Sequence, residues 1–187
     1  MGYFSSSLEG AGLTLMDMYE GLALQLDPGE SAGTGADTVA DKTPTTVEIV
    51  PVQSEDEMRE LLSVSGRVWG YSPEDQERMV KDRMEYLSLP SCRGGSLLAR
   101  VNGQAAGNAS YRYSSDGRTV YLNGACTLPD FQGRGVFRAL VRWRLAAARA
   151  RGCRFAAVLA RVGTSAPILV KLGFTKYFDM PVYLYRP

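Results

Sequence analysis

The stretch LPDFQGRGVFRAL, residues 128–140, contains the two glycines on which the interpretation of this chain depends. A predicted strand ends near Leu128, the chain turns through Gly133 and Gly135, and a helical pattern follows. Such a turn directs several backbone N–H groups and the positive end of a helix toward one point. Glycine also lacks the Cβ atom that would keep a phosphate away from the backbone. The stretch therefore predicts an anion-binding turn, and the alternative is an ordinary strand-to-helix connection.

The glycine turn differs from two common nucleotide-binding motifs. A phosphate-binding P-loop ends in Gly-Lys followed by Ser or Thr, and this turn has no such ending. A dinucleotide-binding fold needs Gly-x-Gly-x-x-Gly with an acidic residue further along the chain, and that pattern does not follow the strand here. Both classes are excluded.

The patterns on either side of the turn predict strands and helices in alternation. Ser54 and Glu57 form a capping box that begins one helix, and Ser72 followed by Pro73 begins a second. The remaining elements are strands over 46–52, 96–101, 104–113 and 119–128, a helix over 135–151, a strand over 155–160, a helix over 165–172 and a strand over 175–185. The order β-α-α-β-β-β-α-β-α-β predicts an α/β fold, with a mixed sheet and helices on both faces.

Composition and charge narrow the class of protein. The chain has 187 residues, of which 45% are hydrophobic and 22% charged, as is typical of one globular domain with a full core. The net charge of +1 provides no basic field for nucleic acid. No apolar run approaches the roughly 20 residues of a membrane-spanning helix, and the sequence does not begin with a secretory leader pattern. We therefore expect a cytoplasmic protein without nucleic-acid or membrane partners.

The chain contains no histidine, which removes several classes of catalytic site. Ser-His-Asp and Cys-His catalysis and most zinc hydrolases require that residue. The three cysteines, Cys92, Cys126 and Cys153, are widely spaced, which favours small buried side chains over disulfides or a thiolate metal site. The sequence predicts no metal, so proton transfer would depend on carboxylates, Tyr, Cys, Lys or water.

The segment from Gln132 to Gly135 resembles the acyl-CoA signature Q/R-x-x-G-x-G/A of the GNAT acetyltransferases. The preceding strand YLNGACTLP and the later segment KLGFTKYF, residues 171–178, also resemble that family, as does the order of elements. The resemblance covers about residues 47–187. It implies a GNAT-like fold, acetyl-CoA as co-substrate without a metal, and direct transfer of the acetyl group to a primary amine.

The resemblance also implies a cofactor site around the glycine turn. The backbone amides of 133–136 would hold the CoA diphosphate. The backbone of 126–128 would pair with the pantetheine arm like a missing strand, next to the strand at 155–160. The same edge can place an N–H near the thioester carbonyl. The predicted cofactor-binding residues are Cys126, Thr127, Leu128, Gln132, Gly133, Arg134, Gly135, Val136, Phe137 and Arg138.

The resemblance does not identify the catalytic residues. Many family members have a Tyr just before the K-x-G-F segment that protonates the departing thiolate, and this position is Leu169 here. The remaining candidates are Tyr121, Asn123 and Ser165, and each also has a structural interpretation. For Ser165 and its neighbour Thr164, at the start of a helix, that interpretation is N-capping, which we favour.

Other functions therefore stay open at this point. The Leu169 position favours a non-catalytic acyl-CoA-binding module, and a third alternative is a scaffold whose glycine turn binds nothing. The acceptor is equally open among a small amine, an antibiotic, a peptide N-terminus and a lysine side chain.

The N-terminal segment, residues 1–26, weakly repeats the end of the chain. Gly12-Leu-Thr corresponds to Gly173-Phe-Thr, and an apolar, strand-like run follows in both. We interpret residues 1–26 as resembling the tail of an upstream GNAT repeat, residues 27–45 as a flexible linker, and 46–187 as the GNAT domain. We expect 8–26 to form a strand docked on a sheet edge, within one chain or across a homodimer. The alternative is a disordered tail.

Overall fold

The computed structural model describes residues 8, 11–27 and 46–185. Within them the elements follow the predicted order, and a single 3₁₀ turn, Pro129–Phe131, precedes the third helix. The strands and helices are β1 Leu13–Gln25, β2 Val47–Pro51, α1 Glu55–Trp69, α2 Pro73–Ser88, β3 Gly94–Val101, β4 Gln104–Tyr113, β5 Thr119–Thr127, α3 Val136–Ala150, β6 Phe155–Arg161, α4 Ser165–Lys171 and β7 Thr175–Tyr185. The predicted linker, apart from Asp27, lies outside the described residues.

The chain divides into two compact units. The larger unit is Gln25–Ala156, and the smaller unit combines the described residues of 1–24 with those of 157–187. The N-terminal strand and the C-terminal elements thus belong to the same unit, although more than a hundred residues of sequence separate them. In the described part of the chain, no helix is both long and apolar enough to cross a bilayer.

In the larger unit, β2, β3, β4 and β5 lie side by side, each antiparallel to the next. Alternate side chains along a strand point to opposite faces. Leu98 accordingly packs with α1 and α2, whereas Leu97 and Ala99 pack with α3 on the other face. The core between the sheet and helices α1 and α2 includes the buried residues Met58, Leu61, Leu62, Val64, Val80 and Leu128. The predicted α/β fold with helices on both faces of its sheet is confirmed.

The predicted helix starts are also confirmed. The Ser54 hydroxyl accepts the N–H of Glu57 at 3.3 Å, and the Glu57 carboxylate accepts the N–H of Ser54 at 3.1 Å, which completes the capping box. The Ser72 hydroxyl accepts the N–H of Asp75 at 3.1 Å, with Pro73 at the first helical position. Side-chain caps of this kind satisfy N–H groups that the helix itself leaves unpaired.

The turn between β3 and β4 has the geometry that its sequence predicts. Asn102 and Gly103 have φ values of 51° and 77°, and Val101 pairs with Gln104 across them. Two successive residues with positive φ form the two-residue hairpin turn whose twist matches that of the flanking strands.

In the smaller unit, β1 lies between β6 and β7 and pairs with β7 in antiparallel register, from Leu13 opposite Tyr185 to Ala23 opposite Thr175. The predicted strand within residues 8–26 is present, but its expected position at a sheet edge is wrong, because β1 has a neighbour on each side. Within β1 the buried residues are Gly21 and Leu22, and the Phe178 ring rests on Gly21.

Charged side chains hold the same three strands together. Arg161 of β6 lies 2.6 Å from the Asp17 carboxylate of β1, and Lys176 of β7 lies 3.0 Å from that of Glu20. Both carboxylates on β1 thus have partners on the flanking strands.

Two smaller predictions are corrected. Thr164 occupies the N-cap position of α4, but its hydroxyl makes no capping hydrogen bond and instead donates to the Arg161 carbonyl at 3.4 Å. Of the cysteines, Cys126 and Cys153 are buried as expected, whereas Cys92 is only half-buried because it lies in the short loop before β3.

Candidate active site

The glycine turn between β5 and α3 is open to solvent. Gly133 and Gly135 have φ values of 74° and 80°, in the region that side chains other than glycine rarely occupy. A Cβ atom added at either residue would have no heavy atom within 4 Å. The glycines are therefore required by the path of the backbone, and the space above them is free for a ligand.

The turn presents a series of N–H groups without backbone acceptors. The Gln132 N–H donates to Pro129 at 3.2 Å, and the next such bond to a turn residue runs from Ala139 to Gly135 at 2.9 Å. The five amides of residues 133–137 have no backbone acceptor in the described chain. The first turn of α3 contains no acidic side chain, and Gly135 supplies no side-chain cap. This backbone geometry fits an anion, because the amide dipoles and the helix end are both positive.

A cavity of about 580 Å³ lies beside the turn, on the side of α1. Two ion pairs neutralise most of its charges: Arg67 with Asp130 at 3.7 Å, and Glu60 with Arg100. The guanidinium of Arg134 lies 5.4 Å from the centre of the Phe131 ring and adds a positive charge to the cavity wall beside the glycine turn. The cavity lining consists of Glu60, Arg67, Gly103, Gln104, Ala105, Asp130, Phe131 and Arg134.

The predicted cofactor-binding residues have different degrees of exposure. Gln132, Gly133, Arg134 and Gly135 are exposed, and Phe137 and Arg138 are half-buried on the first turn of α3. The side chains of Val136, Cys126 and Leu128 are buried in the core, so any contact they make with a ligand would come from their backbone. The Thr127 hydroxyl is buried and has no hydrogen-bond partner among the described residues.

Strand β5 contains a bulge that the sequence analysis missed. Asn108 of β4 is opposite Cys126, and Ser110 is opposite Asn123, so Gly124 and Ala125 together face one β4 residue. Gly124 has a φ of 55°. A bulge leaves one N–H or C=O outside the ladder and occurs frequently next to active sites. An isolated glycine within a strand pattern is the signal that could have identified it.

The candidate catalytic residues fall in both units. Tyr121 is 37% exposed and lies on β5 opposite Arg112, and partial burial raises the pKa of its phenol. Asn123 is exposed and directly precedes the bulge. In the smaller unit, the Ser165 hydroxyl accepts the Arg161 N–H at 3.0 Å, which is a structural role at the start of α4.

Leu169, at the position where many family members have a tyrosine, is only 1% exposed. Its side chain is part of the packing around α4, and its carbonyl accepts the N–H of Phe174 at 3.1 Å. No proton donor takes the place of the tyrosine on this turn of the helix.

Comparison with known proteins agrees with the fold. The model of the acetyltransferase (GNAT) family matches residues 56–174, well over half of the chain. The protein therefore belongs to the GNAT acetyltransferase family. No curated protein matches the sequence significantly.

Solved structures share the fold at low sequence identity. A GCN5-related N-acetyltransferase from Sphaerobacter thermophilus has a TM-score of 0.70 and 18% identity over 96% of this chain and 55% of its own. A functionally unknown conserved protein from Staphylococcus epidermidis has a TM-score of 0.65 and 15% identity over 96% of this chain and 65% of its own. The chain thus spans between about half and two thirds of the length of these two structures.

A third structure was solved with a ligand. A predicted acetyltransferase from Clostridium acetobutylicum, in complex with acetyl-CoA, has a TM-score of 0.53 and 16% identity over 71% of this chain and 92% of its own. At such identities the likeness establishes the fold alone.

Proposed function

We propose that the protein transfers the acetyl group of acetyl-CoA to a primary amine by direct attack of the amine. The observation on which this depends most is the set of five amides at 133–137 that have no backbone acceptor among the described residues, in a turn with free space at Gly133 and Gly135. Membership of the GNAT family makes the CoA diphosphate the anion that fits this turn best.

The pantetheine arm would continue from the turn along β5. The Thr127 hydroxyl lacks a partner among the described residues, which costs about 1–3 kcal/mol, and an amide of the arm would relieve part of this cost. Further along the strand, the bulge at Gly124 frees a backbone group from the ladder. An N–H there would stabilise negative charge on the thioester oxygen during attack.

Acetyl-CoA supplies an activated acyl group, and the chain's own residues favour its direct use. The Cys126 thiol is 8% exposed, and burial raises its pKa to about 11, so it stays protonated and a poor nucleophile at neutral pH. Burial also raises the pKa of Cys153. An acyl intermediate on Cys126 or Cys153 is therefore unfavourable. The amine nitrogen bonds to the acyl carbon, the carbon–sulfur bond breaks, CoA leaves as the thiolate, and the amine proton passes to water.

Tyr121 suits hydrogen bonding better than proton abstraction. Its raised pKa keeps the phenol protonated at neutral pH, where it can donate to a carbonyl or position the acceptor. With Leu169 in place of an acid, the leaving group departs unprotonated, which a thiol pKa near about 8.5 tolerates.

Calorimetry with acetyl-CoA in a metal chelator, followed by thiol release with a panel of amines, tests this proposal. We expect binding without metal and thiol release with at least one amine. Absence of both heat and a thermal shift would contradict the cofactor site. Binding without thiol release from any amine would favour the second candidate, a non-catalytic acyl-CoA-binding module, for which the buried Leu169 is the supporting observation.

A further inference from the structure

We propose that the acceptor amine also carries a carboxylate, which Arg83 of α2 and Arg112 of β4 bind. The acceptor class is then an amino acid or a similar zwitterion rather than a polyamine or an aminoglycoside. This inference rests on the proposed function, because it concerns the acceptor side of the same site.

The first observation is a change of polarity along one face of β4 and β5. Residues directly opposite each other in an antiparallel pair share a face. Asn108 and Cys126 form such a pair in the core beneath α1, where the Asn108 amide donates to the Leu61 carbonyl at 3.0 Å. The same face continues with Ser110 opposite Asn123 and Arg112 opposite Tyr121, all of them polar or phenolic side chains.

The second observation is the environment of Arg112. Its Nε and one terminal nitrogen donate to the Tyr86 hydroxyl of α2 at 3.2 and 3.0 Å, and its guanidinium lies 5.3 Å from the centre of that ring. Tyr86 therefore fixes one edge of the guanidinium. The other terminal nitrogen has no partner in the described residues and can bind an anion.

The third observation is Arg83, three residues before Tyr86 and thus on the same side of α2. Its neighbours Val80, Met84 and Leu87 pack on the core, so Arg83 is drawn into partial burial at the edge of that face. Burial lowers the pKa of its guanidinium, and the only group that opposes this effect is the Tyr71 phenol. A partly desolvated cation of this kind is stabilised by an anionic partner.

The charge balance of the surroundings singles out these two arginines. Other arginines on or facing α1 and α2 have carboxylate partners: Arg59 with Glu77 at 3.2 Å, Arg78 with Asp75 at 2.5 Å, and Arg100 with Glu60. In the described part of the chain, no carboxylate lies within ion-pair distance of Arg83 or Arg112. Each of the two is thus a positive side chain without a counterion from those residues.

The position along β5 relates this site to the acyl group. An arm that follows the strand from Leu128 to Asn123 covers five residues, or about 16 Å at roughly 3.3 Å per residue. Tyr121, opposite Arg112, lies two residues beyond Asn123, a further ~7 Å. An acceptor whose amine meets the acyl group at the bulge thus has its other end near Arg112. Arg83 lies one turn of α2 before Tyr86, whose hydroxyl Arg112 binds.

Steady-state thiol release by the full chain, with L-amino acids and the matching L-amino-acid amides as paired acceptors, tests the proposal. Each pair shares its amine and side chain and differs in the carboxylate. We expect the acids to have KM values at least about tenfold lower than the amides, as loss of a charge-assisted hydrogen bond implies. Arg83→Gln and Arg112→Gln should raise KM for the acids about tenfold and leave KM for the amides and for acetyl-CoA unchanged.

Lys81→Gln is the matched control, since it removes one positive charge from an exposed position of the same helix. It should leave every KM unchanged. Arg83→Lys, which keeps the charge, should restore part of the affinity for acids and guards against a fold defect in Arg83→Gln. Preference for amides or polyamines, or an equal KM change for acids and amides in the arginine variants, would overturn the inference.

A binding measurement separates this inference from the proposed function. With CoA present, an amino acid should raise the melting temperature more than its amide does, and Arg83→Gln should abolish the difference. If this difference is present and no amine releases thiol, the proposed carboxylate site is supported and the proposed acetyl transfer is wrong. If thiol is released from acetyl-CoA only with amines that carry no carboxylate, the proposed acetyl transfer is supported and the proposed carboxylate site is wrong.

Discussion

Gly107 in β4 and Gly135 at the start of α3 lie at the same corner of the larger unit, yet each is glycine for the opposite reason. A Cβ at Gly107 would lie 2.7 Å from the Cys126 carbonyl oxygen and 2.8 Å from Val136 Cγ1, so the space is already filled. A Cβ at Gly135 would meet nothing within 4 Å. The close contact at Gly107 positions α3 against the sheet. The open space at Gly135 is available to a ligand. Substitution of Gly107 should therefore mainly lower stability, whereas substitution of Gly135 should mainly weaken ligand binding.

The largest effect should come from deleting a whole packed strand, β1. Deleting residues 1–26 removes β1 from between β6 and β7, together with the buried side chains of Leu22 and Leu26. Each such side chain contributes about 1.5–3 kcal/mol, so the two together contribute about 3–6 kcal/mol, comparable to the lower end of the roughly 5–15 kcal/mol stability of a typical domain. We expect aggregation or a melting temperature lower by about 10 °C or more. Deleting residues 1–10 is the control, and equal stability of all three proteins would contradict the role of β1.

Gly107→Val should have the next largest effect. The added atoms meet a backbone carbonyl and a buried valine, neither of which can move cheaply. Overpacking of this kind costs about 3 kcal/mol or more, and thermal or denaturant unfolding measures it. A melting temperature equal to that of the unsubstituted protein would show that the corner is not tightly packed.

Gly135→Val should affect binding more than stability. The valine adopts an unfavourable left-handed backbone, at a cost of about 1–2 kcal/mol, and fills the space above the amides. We expect acetyl-CoA affinity to fall at least about tenfold, by calorimetry. Gly152→Val is a matched control, because Gly152 ends the same helix with a φ of 85° and open space around it. Equal losses of affinity in both variants would place the diphosphate elsewhere.

The smallest effect concerns Cys126, whose carbonyl limits the space at Gly107. Burial raises the pKa of its thiol to about 11, whereas an unfolded cysteine loses its proton near about 8.5. Above pH 9 the unfolded state therefore binds fewer protons than the folded state does. As a result, the free energy of unfolding falls by about 1 kcal/mol between pH 9 and 10. Denaturant unfolding of Cys126→Ala should show a shallower decline over that interval. Identical slopes in the two proteins would mean that the folded thiol titrates normally.

Features that depend on a few neighbouring residues could be predicted from the sequence. The capping box at Ser54, the Asn102-Gly103 turn and the glycines of the cofactor turn are all determined by local backbone preferences, and the structure has each of them where expected. Family resemblance added the ligand class, which the turn geometry alone leaves open.

Features that depend on distant pairing could not be predicted. The apolar pattern of β1 predicts a strand, but nothing in it specifies two neighbours from the other end of the chain. The bulge at Gly124 arises from register with β4, and the proposed role of Arg83 depends on the absence of a carboxylate across α2 and the sheet. Each of these is a property of the folded arrangement rather than of one segment.

The position of β1 also determines the order in which the protein can fold as the ribosome makes it. Gln25 ends this strand, and its neighbour β6 begins only at Phe155, 155 − 25 = 130 residues later. At about 5–20 residues per second, some 7–26 s pass before the first flanking strand exists, and β7 follows later still. Throughout that interval β1 lacks both of its flanking strands, and an unpaired strand of this kind is one to which chaperones bind and with which neighbouring nascent chains pair. The smaller unit closes last, after the larger unit has been synthesised in full.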